Sequence, residues 1–164
     1  MLSKKMTNKL NQQVRLEMYS SNLYLATSAW CASKGLNGSA AFLKMHAKEE
    51  LTHAYKLFDY INETGALAIV DEIAKPEQAF KSLKDVFKRI FEHEKLVTAE
   101  INDLCSLALD EKDFSTFNFL QWYSSEQHEE EKLFRDILDK FDIVGLEGSG
   151  LFHIDREIGN SIRK

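Results

Sequence analysis

Proline occurs once in the chain, at Pro76, and glycine only seven times, which is too little punctuation for the many turns of an all-β fold. Cysteine is as scarce. Cys31 and Cys105 stand alone, which excludes a disulfide framework or a thiolate metal site and leaves them as small core residues. No apolar run approaches a membrane span, and Met1-Leu2-Ser3-Lys4-Lys5-Met6 leads into polar sequence without the apolar core of a signal peptide. The expectation is a cytoplasmic protein with no membrane partner. Basic clusters are missing too. None is longer than Lys4-Lys5, and a net charge of -5 argues against a nucleic-acid partner and suits cations.

With 44% hydrophobic and 29% charged residues, the 164-residue chain makes one domain, 1–164, large enough to bury a core without covalent staples. Apolar or small residues recur every three or four positions in four stretches, about 5–34, 39–64, 82–109 and 114–141. This predicts an all-α four-helix bundle. Gly35 to Ser39 reads as a short turn, with Ser39 a candidate cap, and Asp110 to Asp113 as another. The aperiodic segment 65–82 is long enough to cross the full height of a bundle. A short C-terminal helix, about 151–162, carries Leu151, Phe152, Ile154, Ile158 and Ile162. With four helices filling the domain, these five are expected to pack against other subunits.

Polar residues interrupt all four apolar stripes: Glu17 in the first, Glu50 and His53 in the second, Glu94 in the third, Gln127 and Glu130 in the fourth. A buried carboxylate is costly unless it is paired, hydrogen-bonded or metal-bound. One such residue would be read as a satisfied hydrogen-bonder. The set is harder to dismiss. Glu17, Glu50 and His53 correspond to Glu94, Gln127 and Glu130 at a constant offset of 77 residues, as Glu49 does to Glu126 and Phe42-Leu43 to Phe119-Leu120. The chain looks internally duplicated. Residues on antiparallel helices share a depth when their midpoint falls in the connecting turn. The midpoint of Glu17 and His53 is Gly35, and that of Glu94 and Glu130 is Lys112.

Four acids therefore meet at one level, where like charges repel strongly unless cations lie between them; the alternative is a carboxyl–carboxylate hydrogen-bond network. Four carboxylates, one imidazole and no thiolate suit iron or manganese, with room for two ions. Ferritin-like di-metal bundles use one Glu from each of two helices and Glu-x-x-His from each of the others. Here Gln127-x-x-Glu130 replaces the second such pair.

At these residues the chain resembles a bacterial non-haem ferritin over nearly its full length. The resemblance is carried by Met18-Tyr19-Ser20-Ser21, Ser28-Ala29-Trp30-Cys31, Phe117-Asn118-Phe119-Leu120-Gln121-Trp122-Tyr123 and Glu126-Gln127-His128-Glu129-Glu130-Glu131. It implies that Glu17, Glu50 and His53 hold one iron, that Glu94 and Glu130 hold a second with Glu50 bridging, and that Gln127 beside it helps handle dioxygen. It further implies a third, outer iron on Glu49, Glu126, Glu129 and Glu130, and a supporting Tyr24. Glu129 and Glu131 fit a solvated face equally well, Tyr24 and Trp122 read first as core aromatics and second as electron donors, and His46 and His128 read as satisfied polar residues. Leu51 stands where bacterioferritins place a haem-binding methionine, so no haem is expected.

The implied activity is a ferroxidase that oxidises Fe2+ with dioxygen or peroxide and deposits ferric oxide inside a homo-oligomeric cage of 24 subunits. Asp110, Glu111 and Asp113 would line an ion pathway into it. The rivals are a di-iron enzyme that keeps its metals while reducing peroxide or oxidising a substrate, and a purely structural bundle with protonated inward acids.

Overall fold

The computed structural model describes residues 1–145 and 147–161; Ile162 of the expected C-terminal helix lies outside them. It contains α1 (Lys4–Ser33), α2 (Asn37–Glu63), α3 (Leu83–Asp110), α4 (Phe114–Val144) and α5 (Gly148–Ser161). There is no strand among the described residues, and no helix is long and apolar enough to cross a membrane.

Local chemistry sets the helix ends. Ser3, Ser82 and Asp113 each accept a hydrogen bond from the backbone N–H three residues on, which satisfies a donor that the first turn leaves free. At the other end, Gly35 and Gly65 turn into the left-handed region, where a Cβ would be strained. The following N–H groups, of Leu36 and Ala66, then bond back to Cys31 and Ile61. Lys112 closes α3 the same way without being glycine, at φ 57°.

Two antiparallel hairpins, α1–α2 and α3–α4, pack with α1 against α3. The crossover between them is tied down along α1: Asn11 donates to the Leu67 carbonyl at 3.2 Å and accepts from Ile69 N–H at 2.7 Å, and Arg15 pairs with Asp71 at 3.2 Å. On the opposite side α2 and α4 stand apart, with no Cα pair within 8 Å. Side chains fill that seam. Phe42, His46 and Phe134 meet in one half, and His53 meets Trp122 and Tyr123 in the other.

The C-terminal helix corrects two expectations. Ile154 and Ile158, set apart for other subunits, are buried in this chain's own core with Phe87 and Phe141, and Leu151 packs against the same cluster; only Phe152 stays largely exposed. α5 sits across the end of the bundle because its backbone can approach α2 closely. A Cβ built on Gly38 would lie 2.0 Å from the Asp155 carbonyl oxygen, and one on Gly159 would lie 2.7 Å from the Gly38 Cα.

Ser39 is not the cap of α2. The helix starts two residues earlier, and the Asp155 carboxylate takes the capping role, accepting from Gly38 N–H at 3.0 Å and Ser39 N–H at 2.8 Å. The acidic turn is likewise partly spoken for, since Asp113 caps α4 and Glu111 accepts from the Ser3 hydroxyl.

Gly38→Ala is expected to destabilise the subunit by about 1–3 kcal/mol through overpacking at the α2–α5 crossing. Asp155→Ala should cost about 1 kcal/mol through loss of the cap. Thermal and urea unfolding measure both, and an unchanged midpoint for Gly38→Ala would refute the close approach.

Candidate metal centre

Glu17 projects from the middle of α1, and Glu50 and His53 from one turn of α2. All three are buried, at 1%, 3% and 2% exposure, and one ligand atom of each lies within 4.8 Å of the others. Such burial without a cation demands hydrogen bonds, and the supply falls short. Gln13 donates to Glu17 Oε1 at 2.7 Å, but Glu17 Oε2 has no partner. His53 Nδ1 lies 3.6 Å from Glu50 Oε2, longer than a hydrogen bond. It is close to the roughly 3.4 Å between two donors on one tetrahedral ion with bonds of about 2.1 Å. The imidazole is wedged edge-on against Trp122 and Tyr123, and the Tyr123 hydroxyl donates to the His53 carbonyl at 2.8 Å. Its aim is fixed.

The second hairpin contributes differently. Glu94, 1% exposed, accepts from the Tyr24 hydroxyl at 2.8 Å and from Gln127 Nε2 at 3.1 Å. Tyr24 thereby ties α1 to α3 at the level of the acids. Glu130 does not share a three-ligand cluster with Glu94. It turns instead to His46 and Glu49, and its Oε2 has no partner. A third grouping joins Glu49 and His53 to Glu126. Glu129 is exposed and belongs to none of the three, Glu131 is half-buried, and His128 is exposed.

His46 was expected to be a satisfied polar residue. It is 3% exposed, and neither ring nitrogen has a hydrogen-bond partner. It shares the stripe of Glu50 and His53 and lies one turn from Glu49, a placement that shows burial but not whether the ring nitrogens are matched. Gln13 was also missed, although four residues before Glu17 it faces the same way.

The electrostatics follow from crowding acids into a dry interior. Burial first, and the Glu50 carboxylate next, raise Glu17 well above the ordinary carboxyl range. Burial and then the Glu94 charge do the same to Glu50. Glu94 is pushed up to about 7 by burial and by Glu130. Without a cation these groups hold protons that a divalent ion would displace. Carboxylate and imidazole donors with orphaned oxygens fit such an ion of the iron or manganese kind.

A bundle of two antiparallel hairpins joined by a full-length crossover, with a buried Glu, Glu and His converging at mid-height, defines a ferritin-like protein. The chain belongs to that family: the ferritin-like domain profile matches residues 7–144. It is 55% identical to a probable bacterial non-heme ferritin-like protein of Haemophilus influenzae, covering 98% of this chain and 97% of that one. It is 52% identical to a bacterial non-heme ferritin of Campylobacter jejuni, covering 98% and 96%. The fold superposes on an open pore ferritin of the archaeon Archaeoglobus fulgidus with a TM-score of 0.95 at 38% identity, covering 97% of this chain and 98% of that one. On Chlorobium tepidum ferritin the TM-score is 0.87 at 50% identity, covering 96% and 97%.

Because the Glu94 carboxyl titrates near 7 in the fold and near its ordinary 4.5 in the unfolded chain, the folded state binds more protons between these values. Its stabilising contribution is whole below about pH 4.5 and is lost as pH rises through about 7. In metal-free buffer, Glu94→Gln should therefore gain on the parent protein between pH 5 and pH 8 by on the order of 2–3 kcal/mol. Urea unfolding at the two pH values checks this, and equal differences at both would refute it.

Proposed function

We propose that the protein is an iron-storage ferroxidase. One Fe2+ binds Glu17, Glu50 and His53, and a second binds Glu94 and Glu130 with Glu50 shared between them. Glu130 reaches the second ion by side-chain rotation away from His46. Tyr24 and Gln127 hold the Glu94 carboxylate in place, and the Gln127 amide is a hydrogen-bond donor for dioxygen or peroxide at the second ion. Glu49 and Glu126, with the solvent-facing Glu129, offer an outer place for a third iron.

The observation that carries this reading is the buried Glu17–Glu50–His53 triad, one ligand atom of each lying within 4.8 Å of the others.

Iron is the substrate. Two Fe2+ and one dioxygen, with two protons, give two Fe3+ and one hydrogen peroxide. Each Fe3+ with two waters then gives one ferric oxide-hydroxide unit and three protons. The protein's part is to bring two cations to one level, to release from its own carboxyls protons of the kind that the reduction of dioxygen consumes, and to let the ferric product leave.

The mineral would collect inside a shell of 24 copies of the chain. Leu67, Val70 and Phe114, exposed at 73%, 71% and 66%, are apolar surface that such an assembly would cover. Two unpaired cysteines accord with a reducing, cytoplasmic setting.

Mixing the purified protein with Fe2+ in air should produce ferric absorbance faster than buffer does, and iron should accumulate well beyond a few atoms per chain. Glu50→Ala combined with His53→Ala should lower the initial rate by at least on the order of 100-fold while the size of the assembly stays unchanged. Oxidation no faster than buffer would end the ferroxidase reading, and saturation at two irons per chain would favour a di-iron enzyme that retains its metals.

A further inference from the structure

Closely packed aromatic rings lead from the inner acids along the α2–α4 seam toward solvent, and the scheme above does not use them. Trp122 meets the His53 ring edge-on at 5.2 Å between centroids and Tyr123 at 4.8 Å. Phe119 lies 5.6 Å from Tyr123, and Tyr60 stacks on Phe119 at 3.8 Å and 9°. Tyr60 also lines an open surface pocket with Asp59 and Glu63, so its ring is within reach of solvent.

The oxidisable side chains differ in what loss of an electron would leave behind. A phenol that loses an electron becomes a strong acid, so it is oxidised readily only where a base within hydrogen-bond reach takes its proton. Tyr123 donates to the His53 carbonyl at 2.8 Å, and a peptide carbonyl is no base. Tyr24 donates to Glu94 at 2.8 Å, a carboxylate that the proposed function commits to the second iron. Trp122 carries Lys56 Nζ at 3.8 Å from its ring centroid. That cation is attracted to the neutral indole but repels the radical cation it would become.

Tyr60 differs from all three. Its hydroxyl lies 2.8 Å from Thr116 Oγ1, which donates in turn to Asp113 Oδ2 at 2.6 Å. Because the Thr116 proton is committed to Asp113, the phenol is the donor of the first bond, and both bonds run from Tyr60 toward the carboxylate. Asp113 is itself fixed, since its other oxygen caps α4 by accepting from Thr116 N–H at 3.1 Å.

We infer that Tyr60 is a redox-active residue that gives one electron to peroxide at the inner iron site through Phe119, Tyr123 and Trp122, while its proton moves by way of Thr116 to Asp113.

The inference rests on the proposed ferroxidase function, which supplies both the peroxide and the Fe2+. Hydrogen peroxide takes one electron from a bound Fe2+ and one from Tyr60, and with two protons from solvent becomes two waters. Fe3+, a neutral Tyr60 radical and a protonated Asp113 remain. A further Fe2+ arriving from solution returns the electron and becomes Fe3+, and Asp113 returns the proton. Without this donor, a lone Fe2+ would split peroxide into hydroxide and a free hydroxyl radical. Tyr60 thus protects the core when the inner pair is half-filled.

Assembled protein loaded under argon with less Fe2+ than fills the inner pairs, mixed with hydrogen peroxide and frozen within milliseconds, tests this by electron paramagnetic resonance. A tyrosyl radical is expected in the parent, identified by the collapse of its splittings when the protein carries ring-deuterated tyrosine. Tyr60→Phe keeps the stack on Phe119 and should lose that signal and release more hydroxyl radical to a spin trap, with the initial rate of Fe2+ oxidation in air unchanged. Asp113→Asn keeps a capping oxygen but no base, and should lower the radical yield by at least on the order of 10-fold.

A radical of undiminished amplitude in Tyr60→Phe, or one lodged on Trp122 or Tyr24 in the parent, would overturn this inference and leave the proposed function standing. So would a full radical yield in Asp113→Asn, or rapid Fe2+ oxidation by peroxide with no radical in the parent. Failure of the parent to oxidise Fe2+ at all would overturn both.

Discussion

Four carboxylates held at one depth in a helical bundle are the constraint on which the rest of the structure depends. Glu17, Glu50, Glu94 and Glu130 are all nine-tenths or more buried, and together with His46 they leave four polar atoms unmatched by any protein partner. An interior built only for stability would replace them with apolar side chains of similar volume. Here the flanking core does the stabilising instead. One apolar cluster around Phe42, Phe87 and Phe134 lies on one side of the acids, and another around Leu57, Val97 and Tyr123 lies on the other. The acids occupy the layer between, at a net cost that cations can offset.

The two seams of the bundle are unequal, and this asymmetry gives the site its direction. α1 and α3 pack closely and are joined through Tyr24 and Glu94, whereas α2 and α4 stand apart with aromatic rings between them. Glu49 and Glu126, both half-exposed, gather with His53 at the wider seam. Cations therefore have an acidic approach from one side and a closed wall on the other. The wall is tied at the level of the acids by the Tyr24 hydroxyl of α1, which donates to the Glu94 carboxylate of α3, and Gln127 of α4 donates to the same carboxylate.

Much of this was legible in the sequence because helical periodicity is a local property. Every residue of the third stripe, from Leu83 through Glu94 to Ala108, is buried, and the midpoint rule brought Glu17 to His53 because a short turn leaves little freedom in how two helices align. α5 was misjudged for the opposite reason. Its apolar face is local, but the surface receiving it exists only where Gly38 and Gly159 let two backbones meet. The cap of α2 escaped notice because Asp155 lies more than a hundred residues away along the chain. His46 escaped because a histidine in a stripe does not reveal whether its nitrogens find partners.

The sequence by itself determined the helices, their pairing, and the depth at which acid and imidazole groups meet, since spacing along a helix and the length of a turn are written residue by residue. The tertiary structure alone decided which acid faces which neighbour: Glu94 toward Tyr24 and Gln127, Glu130 toward His46 and Glu49, and α5 onto its own bundle. Those choices depend on side-chain rotamers and on the gap between helices distant in sequence. Both are set by how the whole core packs and by no local pattern.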